Sequence, residues 1–269
     1  MDARPIGVFD SGLGGLTTVK KLSELLPEED IVYLGDTGRA PYGSRSRETI
    51  IKYARQDADF LVDRNIKAMV IACNTVCSVA YAMLEGIYGI KVYEVVSAPA
   101  KEAAFRAKNG KVGVIGTAAT ISSGAYEAEL KRIAPELSVI SISCPLFVPL
   151  VENGRIDADD IAALTIAEDY LAGVKEFGAE TLILGCTHYP LMRDVISKVL
   201  GAEVKLIDSG SETARSVARD IQAMGMAAPG GSKGIVKYYV TDGVDAFSGF
   251  ASRFLGSDVD GMVEQVMLD

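Results

Sequence analysis

One pattern occurs twice in the chain, as AMVIACNTVCSVA at residues 68–80 and as TLILGCTHYPLMR at residues 181–193. Each copy begins with an apolar run typical of a buried strand, passes through a small residue to a cysteine, and then reaches a threonine before a helix start. We interpret the copies as two strand–cysteine–helix units, which predict two similar lobes facing each other.

Short apolar runs alternate with amphipathic segments over the rest of the chain. The runs are nearly continuous, as in strands that are covered on both faces of a parallel sheet. This alternation predicts an α/β fold with mainly parallel sheets flanked by helices. The predicted strands are Ile6–Phe9, Ile31–Leu34, Ala68–Ala72, Lys91–Val95, Val112–Ile115, Val139–Ile142, Thr181–Leu184, Val204–Ile207 and Val236–Val240.

Three helices can be placed from the sequence. One spans residues 48–64, and a second spans residues 158–177 with Asp157 as its N-cap. A third follows Ser209, where Ser209 and Glu212 have the spacing of a capping box. The buried face of the first helix is predicted to contain Ile51, Ala54, Ala58 and Leu61.

The composition narrows the class of protein. With 269 residues, 49% of them apolar, the chain can build packed cores for about two domains. Its net charge of −9 argues against a nucleic acid partner, and no apolar stretch approaches the roughly 18 residues of a membrane span. Four cysteines in so long a chain indicate reduced thiols, so we expect a cytoplasmic protein without a secretory signal or membrane contact.

Reactive and polar side chains follow four of the predicted strands. Ligands of open α/β sheets bind outside the carboxyl ends of the strands, so these groups are expected to form one site. The groups are Asp10–Ser11, Cys73–Asn74–Thr75, Thr117 with Thr120, and Cys186–Thr187–His188.

The cysteines fall into two classes. Cys73 and Cys186 each lie between a strand and a helix start, where the helix dipole is expected to lower the thiol pKa below its reference of about 8.5. Cys77 and Cys144 are predicted to be small buried hydrophobic residues.

Other kinds of site fit the residues less well. The loop DSGLGG at residues 10–15 lacks the third glycine of a dinucleotide motif and the lysine of a P-loop, so it predicts a turn that brings the backbone close to a small ligand. A hydrolase using Ser11 would want a G-x-S-x-G elbow, and a dithiol oxidoreductase a C-x-x-C motif; the sequence has neither. No recognised zinc spacing is formed by Cys73, Cys77, Cys186 and His188.

Two opposed thiols suit proton transfer on both faces of one carbon. Inverting a stereocentre in this way needs a base on one side and an acid on the other, and thiols can serve as both. The carbanion would be stabilised by hydrogen bonds to its carboxylate. Candidate donors are Asn74, Thr75, Thr117 and Thr187.

Several longer motifs identify a family. The chain resembles the glutamate racemase family, within the aspartate/glutamate racemase superfamily, over nearly its whole length. The matching segments are GVFDSGLGGLTTVKKL (7–22), YLGDTGRAPYGSRS (33–46), ACNTVCSVA (72–80), GVIGTAATISSGAY (113–126), PLFVPLVENG (145–154), LGCTHYPLM (184–192) and IDSG (207–210).

The resemblance implies racemisation of glutamate, without cofactor or metal, to supply D-glutamate for peptidoglycan. It implies a first lobe formed by residues 1–97 plus 208–269, a second formed by residues 98–207, and an active site in the cleft between them. It also implies a homodimer, and a member without the N-terminal extension of precursor-activated relatives.

The resemblance also implies roles for individual residues. Cys73 would take the α-proton of D-glutamate with help from Asp10, and Cys186 that of L-glutamate with help from His188. Glu152 would act near His188. Mostly neutral groups, rather than an arginine, would hold the substrate: Asp10, Ser11, Pro41, Tyr42, Gly43, Asn74, Thr75, Thr117, Thr120, Thr187 and His188.

Overall fold

The computed structural model describes residues 1–256, 258–259 and 261–268, and confirms an α/β fold with two parallel sheets. The remaining three positions of the predicted 208–269 segment lie outside the described residues. The strands are β1 Ile6–Asp10, β2 Ile31–Gly35, β3 Ala68–Ile71, β4 Lys91–Tyr93, β5 Lys111–Gly116, β6 Ser138–Ser143, β7 Thr181–Gly185, β8 Lys205–Asp208, β9 Val236–Val240 and β10 Val263–Gln265. The α-helices are α1 Leu16–Leu25, α2 Arg47–Val62, α3 Asn74–Leu84, α4 Ser97–Arg106, α5 Ala118–Ser122, α6 Ala125–Ile133, α7 Phe147–Glu152, α8 Ile161–Phe177, α9 Arg193–Leu200, α10 Ser209–Ala223 and α11 Val244–Leu255.

The first sheet has six strands in the order β10-β9-β2-β1-β3-β4. Its central strand β1 is buried along its whole length, which explains its unbroken apolar sequence. All nine predicted strands are present, whereas β10 was not predicted. This edge strand has three residues, VEQ, two of them exposed, so it carries no apolar run that could mark it.

The second sheet has four strands in the order β6-β5-β7-β8. Its register pairs Gly116 with Gly185, so Thr117 and Cys186 leave neighbouring strands at the same edge. In the first sheet Phe9 pairs with Ile71, which places Asp10 beside the segment that leads to Cys73. Parallel pairing therefore gathers the predicted site residues at the carboxyl ends of the strands.

The helix boundaries differ from the predictions at their N-caps. Helix α8 is capped by Asp160, not Asp157, because the Asp160 carboxylate accepts a hydrogen bond from the Ala163 N–H. Helix α10 is capped by Asp208, so the predicted capping box at Ser209 and Glu212 is wrong. In each case a neighbouring carboxylate is the side chain that reaches the free backbone N–H groups of the first turn.

The buried face of α2 also differs from the prediction. Ile50 is buried where Ile51 was expected, and Asp57 lies on the same buried face as Ala54 and Leu61. No helix among the described residues has the length and apolar character needed to cross a membrane.

Candidate active site

A cavity of about 410 Å³ lies where the carboxyl ends of the two sheets meet. A larger cavity of about 580 Å³ between α4 and α10 is lined by charged and polar residues and contains no thiol, so the chemistry favours the smaller one. Among the described residues that line the smaller cavity there is no arginine or lysine. The predicted residues that it brings together are Ser11, Pro41, Tyr42, Gly43, Cys73, Asn74, Thr75, Thr117, Glu152, Cys186, Thr187 and His188.

Cys73 opens onto the cavity from the first sheet. It is the N-cap of α3 in extended conformation, and its thiol donates a hydrogen bond to the Ser11 hydroxyl at 3.4 Å. Burial, followed by the charge of Asp10, raises the pKa of Cys73 to about 12. The predicted lowering by the helix dipole is therefore wrong for this thiol, since loss of water and a nearby carboxylate outweigh the dipole.

Cys186 opens onto the same cavity from the second sheet. Its sulfur lies 3.9 Å from His188 Nδ1, and His188 Nε2 lies 3.3 Å from Glu152 Oε1. Burial alone lowers the pKa of His188, but its contacts with Cys186 and Glu152 outweigh burial and raise it to about 10. An imidazolium in this place stabilises negative charge on the Cys186 sulfur.

Asp10 lies behind the cavity rather than in its wall. The side chain is buried; its carboxylate accepts hydrogen bonds from the Gly12 N–H at 3.0 Å and from the Thr187 hydroxyl at 3.4 Å. Burial raises the pKa of Asp10, partly offset by the charge of His188. Asp10 therefore contacts residues from both halves of the site, not only the Cys73 side.

The glycine loop at residues 10–15 packs against another segment of the protein and also lines the cavity. A Cβ on Gly14 would lie 2.1 Å from Thr187 Oγ1 and 2.7 Å from His188 Nδ1. Gly12, by contrast, lines the cavity. The expectation that this loop admits a ligand thus needs a correction at Gly14, where the lack of a side chain makes room for Thr187 and His188.

Hydroxyl groups form a chain across the cleft. Thr75 and Thr117 are 3.0 Å apart at their Oγ1 atoms, and Thr117 and Thr120 are also 3.0 Å apart. Thr120 is buried and does not line the cavity; its N–H donates to the Thr117 hydroxyl, which caps α5. The structure therefore places Thr120 behind Thr117, where it fixes that side chain instead of facing the cavity.

Two predicted residues have side chains that are already engaged with protein groups. The Asn74 amide is hydrogen-bonded to the Tyr126 hydroxyl at 2.6 Å and to the Ser209 hydroxyl at 3.2 Å. The Tyr42 hydroxyl is bonded to buried carboxylates of Asp36 and Asp57. These contacts orient the two residues from outside the cavity.

The remaining thiols belong to the core, as predicted. Cys77 contacts the Ile71 carbonyl at 3.2 Å and the Val95 N–H at 3.4 Å, and Cys144 is fully buried. Neither lines the cavity. Over the described part of the chain, no group of three or more His, Cys, Asp or Glu side chains is arranged to hold a metal ion.

Sequence reasoning missed residues of two kinds. Apolar and small residues of the cavity wall carried no chemical signal. Tyr126, Ser209 and Asp57 support the site from distant segments. The signal for Asp57 was a carboxylate on the apolar face of a helix, and the signal for Tyr126 and Ser209 was their place in motifs shared with the family. The missed wall residues are Ala40, Ser44, Ala118, Pro145, Val148 and Pro149.

Comparison with known proteins gives a consistent result. The Asp/Glu/Hydantoin racemase family model matches residues 6–217. The chain is 46% identical to a glutamate racemase of Geobacter metallireducens over 269 residues, covering 100% of this chain and 98% of that protein.

Solved structures agree with the sequence comparison. The crystal structure of glutamate racemase isoform RacE1 from Bacillus anthracis is 36% identical with a TM-score of 0.95, covering 100% of this chain and 99% of that one. A glutamate racemase from Francisella tularensis, solved in complex with D-glutamate, is 39% identical with a TM-score of 0.92 at the same coverage.

Proposed function

The chain belongs to the Asp/Glu/Hydantoin racemase family and is an isomerase, and from that premise we propose that it interconverts L- and D-glutamate. Support comes from relatives named glutamate racemase that match the whole chain, one of them solved with D-glutamate. The observation that carries the proposal is the position of the two thiols: Cys73 from one sheet and Cys186 from the other open onto one cavity.

We propose a two-base mechanism. The Cys186 thiolate removes the α-proton of L-glutamate, and the Cys73 thiol gives its own proton to the opposite face of the carbanion. The product is D-glutamate, with a thiol at Cys186 and a thiolate at Cys73, and the reverse reaction runs from that state. The raised pKa of Cys73 favours its role as resting acid, and the neighbouring imidazolium of His188 favours Cys186 as resting base.

Neutral donors are proposed to bind the substrate. Asn74 and Ala118 begin α3 and α5 at the cavity, where free backbone N–H groups favour carboxylates. The hydroxyls of Ser11, Thr75 and Thr117 add further donors. Hydrogen bonds to the α-carboxylate would stabilise the carbanion that forms when the α-proton leaves.

The wider assignments are also proposals. We propose that residues 1–97 plus 208–269 form one lobe and residues 98–207 the other, with support from the strands, since those of the first sheet come from residues 6–93 and 236–265. We further propose a cytoplasmic homodimer that supplies D-glutamate for peptidoglycan.

The test is incubation with L-glutamate in D₂O without added cofactor. Optical rotation should fall to zero while deuterium enters the α-position, because the solvent-exchanged Cys73 donates to the product. Binding of glutamate without α-exchange would contradict the proposal. So would activity that a chelator removes and zinc restores. Equal turnover of aspartate would place the chain elsewhere in the family.

A further inference from the structure

A buried polar cluster lies beneath the loop of residues 37–44, which forms one wall of the cavity. Asp36 and Asp57 are both fully buried, and the Arg39 guanidinium contacts both, at 2.6 Å to Asp36 and 3.1 Å to Asp57. The Tyr42 hydroxyl lies between the two carboxyl groups. One cation thus faces two buried carboxyl groups, an arrangement in which one of them is expected to hold a proton.

The hydrogen bonds decide which carboxyl group holds the proton. Both oxygens of Asp36 accept from protein donors, Oδ1 from the Thr241 hydroxyl at 2.8 Å and Oδ2 from Arg39 and the Tyr42 hydroxyl. Tyr42 has a single phenolic hydrogen, and we assign it to Asp36, whose carboxylate oxygen is the nearer of the two to the Tyr42 hydroxyl. The 3.0 Å contact between Tyr42 Oη and Asp57 Oδ2 then joins two lone pairs unless Asp57 supplies a hydrogen.

We propose that Asp57 is a positioning residue held in its protonated form, whose O–H donates to Tyr42 and thereby fixes the cavity-facing loop. Tyr42 leads directly into Gly43, where an added Cβ would come within 3.1 Å of Thr117 across the cleft. A shift of Tyr42 would therefore change the distance between the two walls of the site.

The charges around Asp57 are consistent with this state. Burial, followed by the charge of Asp36, raises the pKa of Asp57 well above its usual range, and Asp10 acts in the same direction. The charge of Arg39 opposes this rise. The neutral acid also leaves the cluster with one anion and one cation, so it adds no net negative charge beneath a cavity proposed to bind a substrate with two carboxylates.

Asparagine is the neutral isostere of the protonated acid. In Asp57→Asn the amide oxygen can still accept from Arg39, and the amide N–H can donate to Tyr42. We expect this variant to fold and to keep kcat/KM within about threefold of the wild type. In Asp57→Ala both partners are lost, and we expect KM for glutamate to rise about tenfold with a smaller change in kcat. These kinetic expectations rest on the proposed racemase function.

The decisive readouts need no substrate. An acid that is protonated in the native state but ionised when unfolded makes the unfolding constant grow with pH, by up to about tenfold per pH unit above the unfolded pKa of about 4. In Asp57→Asn this growth should be smaller by the contribution of one acid, because Asp10, whose pKa burial also raises, is still present. Asp59→Asn, which changes an exposed acid on the same helix, should keep the growth of the wild type. The infrared carbonyl stretch of a protonated carboxyl group should also be present in wild type and Asp59→Asn and diminished in Asp57→Asn.

Two results would overturn the proposal: the same pH slope in wild type and Asp57→Asn, or an Asp57→Asn chain that fails to fold while Asp59→Asn folds. Either result means that Asp57 is ionised in the native state. A wild-type protein that has the infrared band but does not exchange the α-proton of glutamate would instead count against the racemase function alone.

Discussion

The two cysteines occupy matching places on two sheets, but their neighbours carry opposite charge. Cys73 follows β3, donates to Ser11 and lies near the carboxylate of Asp10. Cys186 follows β7 and lies beside the imidazole of His188. The strand and cysteine are thus repeated, but the helix start predicted after each cysteine is found only at Cys73: α3 begins directly after it, whereas a 3₁₀ turn at Tyr189–Met192 precedes α9. The electrostatic environment is not repeated either.

This difference teaches that the helix N-terminus does not by itself set the state of a thiol. Cys73 is itself the N-cap of α3, yet its pKa is raised to about 12 because water is excluded and a carboxylate is close. At Cys186 the neighbour is an imidazole whose own pKa is raised to about 10. We expect a resting protein with a proton on Cys73 and a cation beside Cys186.

The largest expected effect comes from removing one sulfur at a time. Cys73→Ser and Cys186→Ser should each lose about 10⁴-fold in racemisation, since a serine hydroxyl is a far weaker acid than a thiol and a weaker base catalyst at neutral pH. Each should still eliminate HX from one enantiomer of a β-substituted analogue, which needs no second proton donor. Cys186 in the first variant should act on the L-form, and Cys73 in the second on the D-form.

When both enantiomers of the analogue are tested, Cys73→Ser and Cys186→Ser serve as controls for each other. A crossed pattern, in which each variant keeps a different enantiomer, supports thiols on opposite faces of one carbon. Equal loss toward both enantiomers in both variants would mean that the two-base mechanism must be abandoned.

The next effect concerns the neighbours of the thiols. We expect His188→Asn and Asp10→Asn to lower kcat about 10²-fold, with less change in KM, because they act on proton transfer. Free L- and D-glutamate have equal free energy, so kcat/KM must fall equally in both directions of racemisation. Asymmetry can therefore be measured only in kcat, in KM or in the irreversible elimination.

In the elimination assay, His188→Asn and Asp10→Asn should differ in which enantiomer of the analogue they slow more. His188→Asn should slow the L-analogue more than the D-analogue, because His188 contacts Cys186 alone of the two thiols. Asp10→Asn should slow the D-analogue more, but less selectively, since Asp10 also bonds to Thr187 beside Cys186. If Asp10→Asn discriminates between the two enantiomers as strongly as His188→Asn does, then the hydrogen bond from Thr187 to Asp10 does not couple the Cys73 side of the site to the Cys186 side.

The sequence could predict this comparison only in part. Nine strands and the two cysteine units followed from apolar runs, since buried parallel strands need apolar side chains on both faces. The polar residues at the strand ends were found because parallel pairing brings those ends together. The electrostatic difference was not found, because the dipole of a helix is visible in a sequence whereas the exclusion of water around Cys73 is not.

The contacts that hold Asn74 from behind could not be predicted from the sequence for a similar reason. Ser209 and Tyr126 reach Asn74 from segments far along the chain, and although both lie in motifs shared with the family, nothing in those motifs indicates a contact with Asn74. The N-caps failed differently: Asp157 and Asp160 are both good caps, and only the backbone geometry decides between them.

A third prediction tests the contact between the halves. Gly14→Ala would place a Cβ against Thr187 and His188, so we expect a loss of about 1–3 kcal/mol in the free energy of unfolding and about tenfold lower activity. Gly249→Ala is the matched control, since among the described side chains a Cβ there meets no atom within 4 Å and the residue lies within α11. The control should gain about 0.5–1 kcal/mol. Equal effects of the two changes on stability and activity would contradict the close approach.

The smallest effect is expected at Glu152, on the Cys186 side. Its carboxylate lies 3.3 Å from His188 Nε2 and raises the His188 pKa, but its side chain is 42% exposed. An ion pair screened by water to that degree contributes at most about 1 kcal/mol, which corresponds to less than about one pKa unit. Glu152→Gln should therefore lower kcat less than about tenfold at neutral pH.

The pH dependence of activity in Glu152→Gln distinguishes an electrostatic role of Glu152 from a role in packing alone. The imidazolium of His188 is present below its folded pKa of about 10, so activity that depends on it should fall as pH rises through that value. Without Glu152 this alkaline fall should begin at lower pH, by less than about one unit. Glu176→Gln, an exposed acid on α8, should leave it in place. An alkaline limb that stays fixed in Glu152→Gln would mean that Cys186 and its imidazole form the charged half of the site without the help of Glu152.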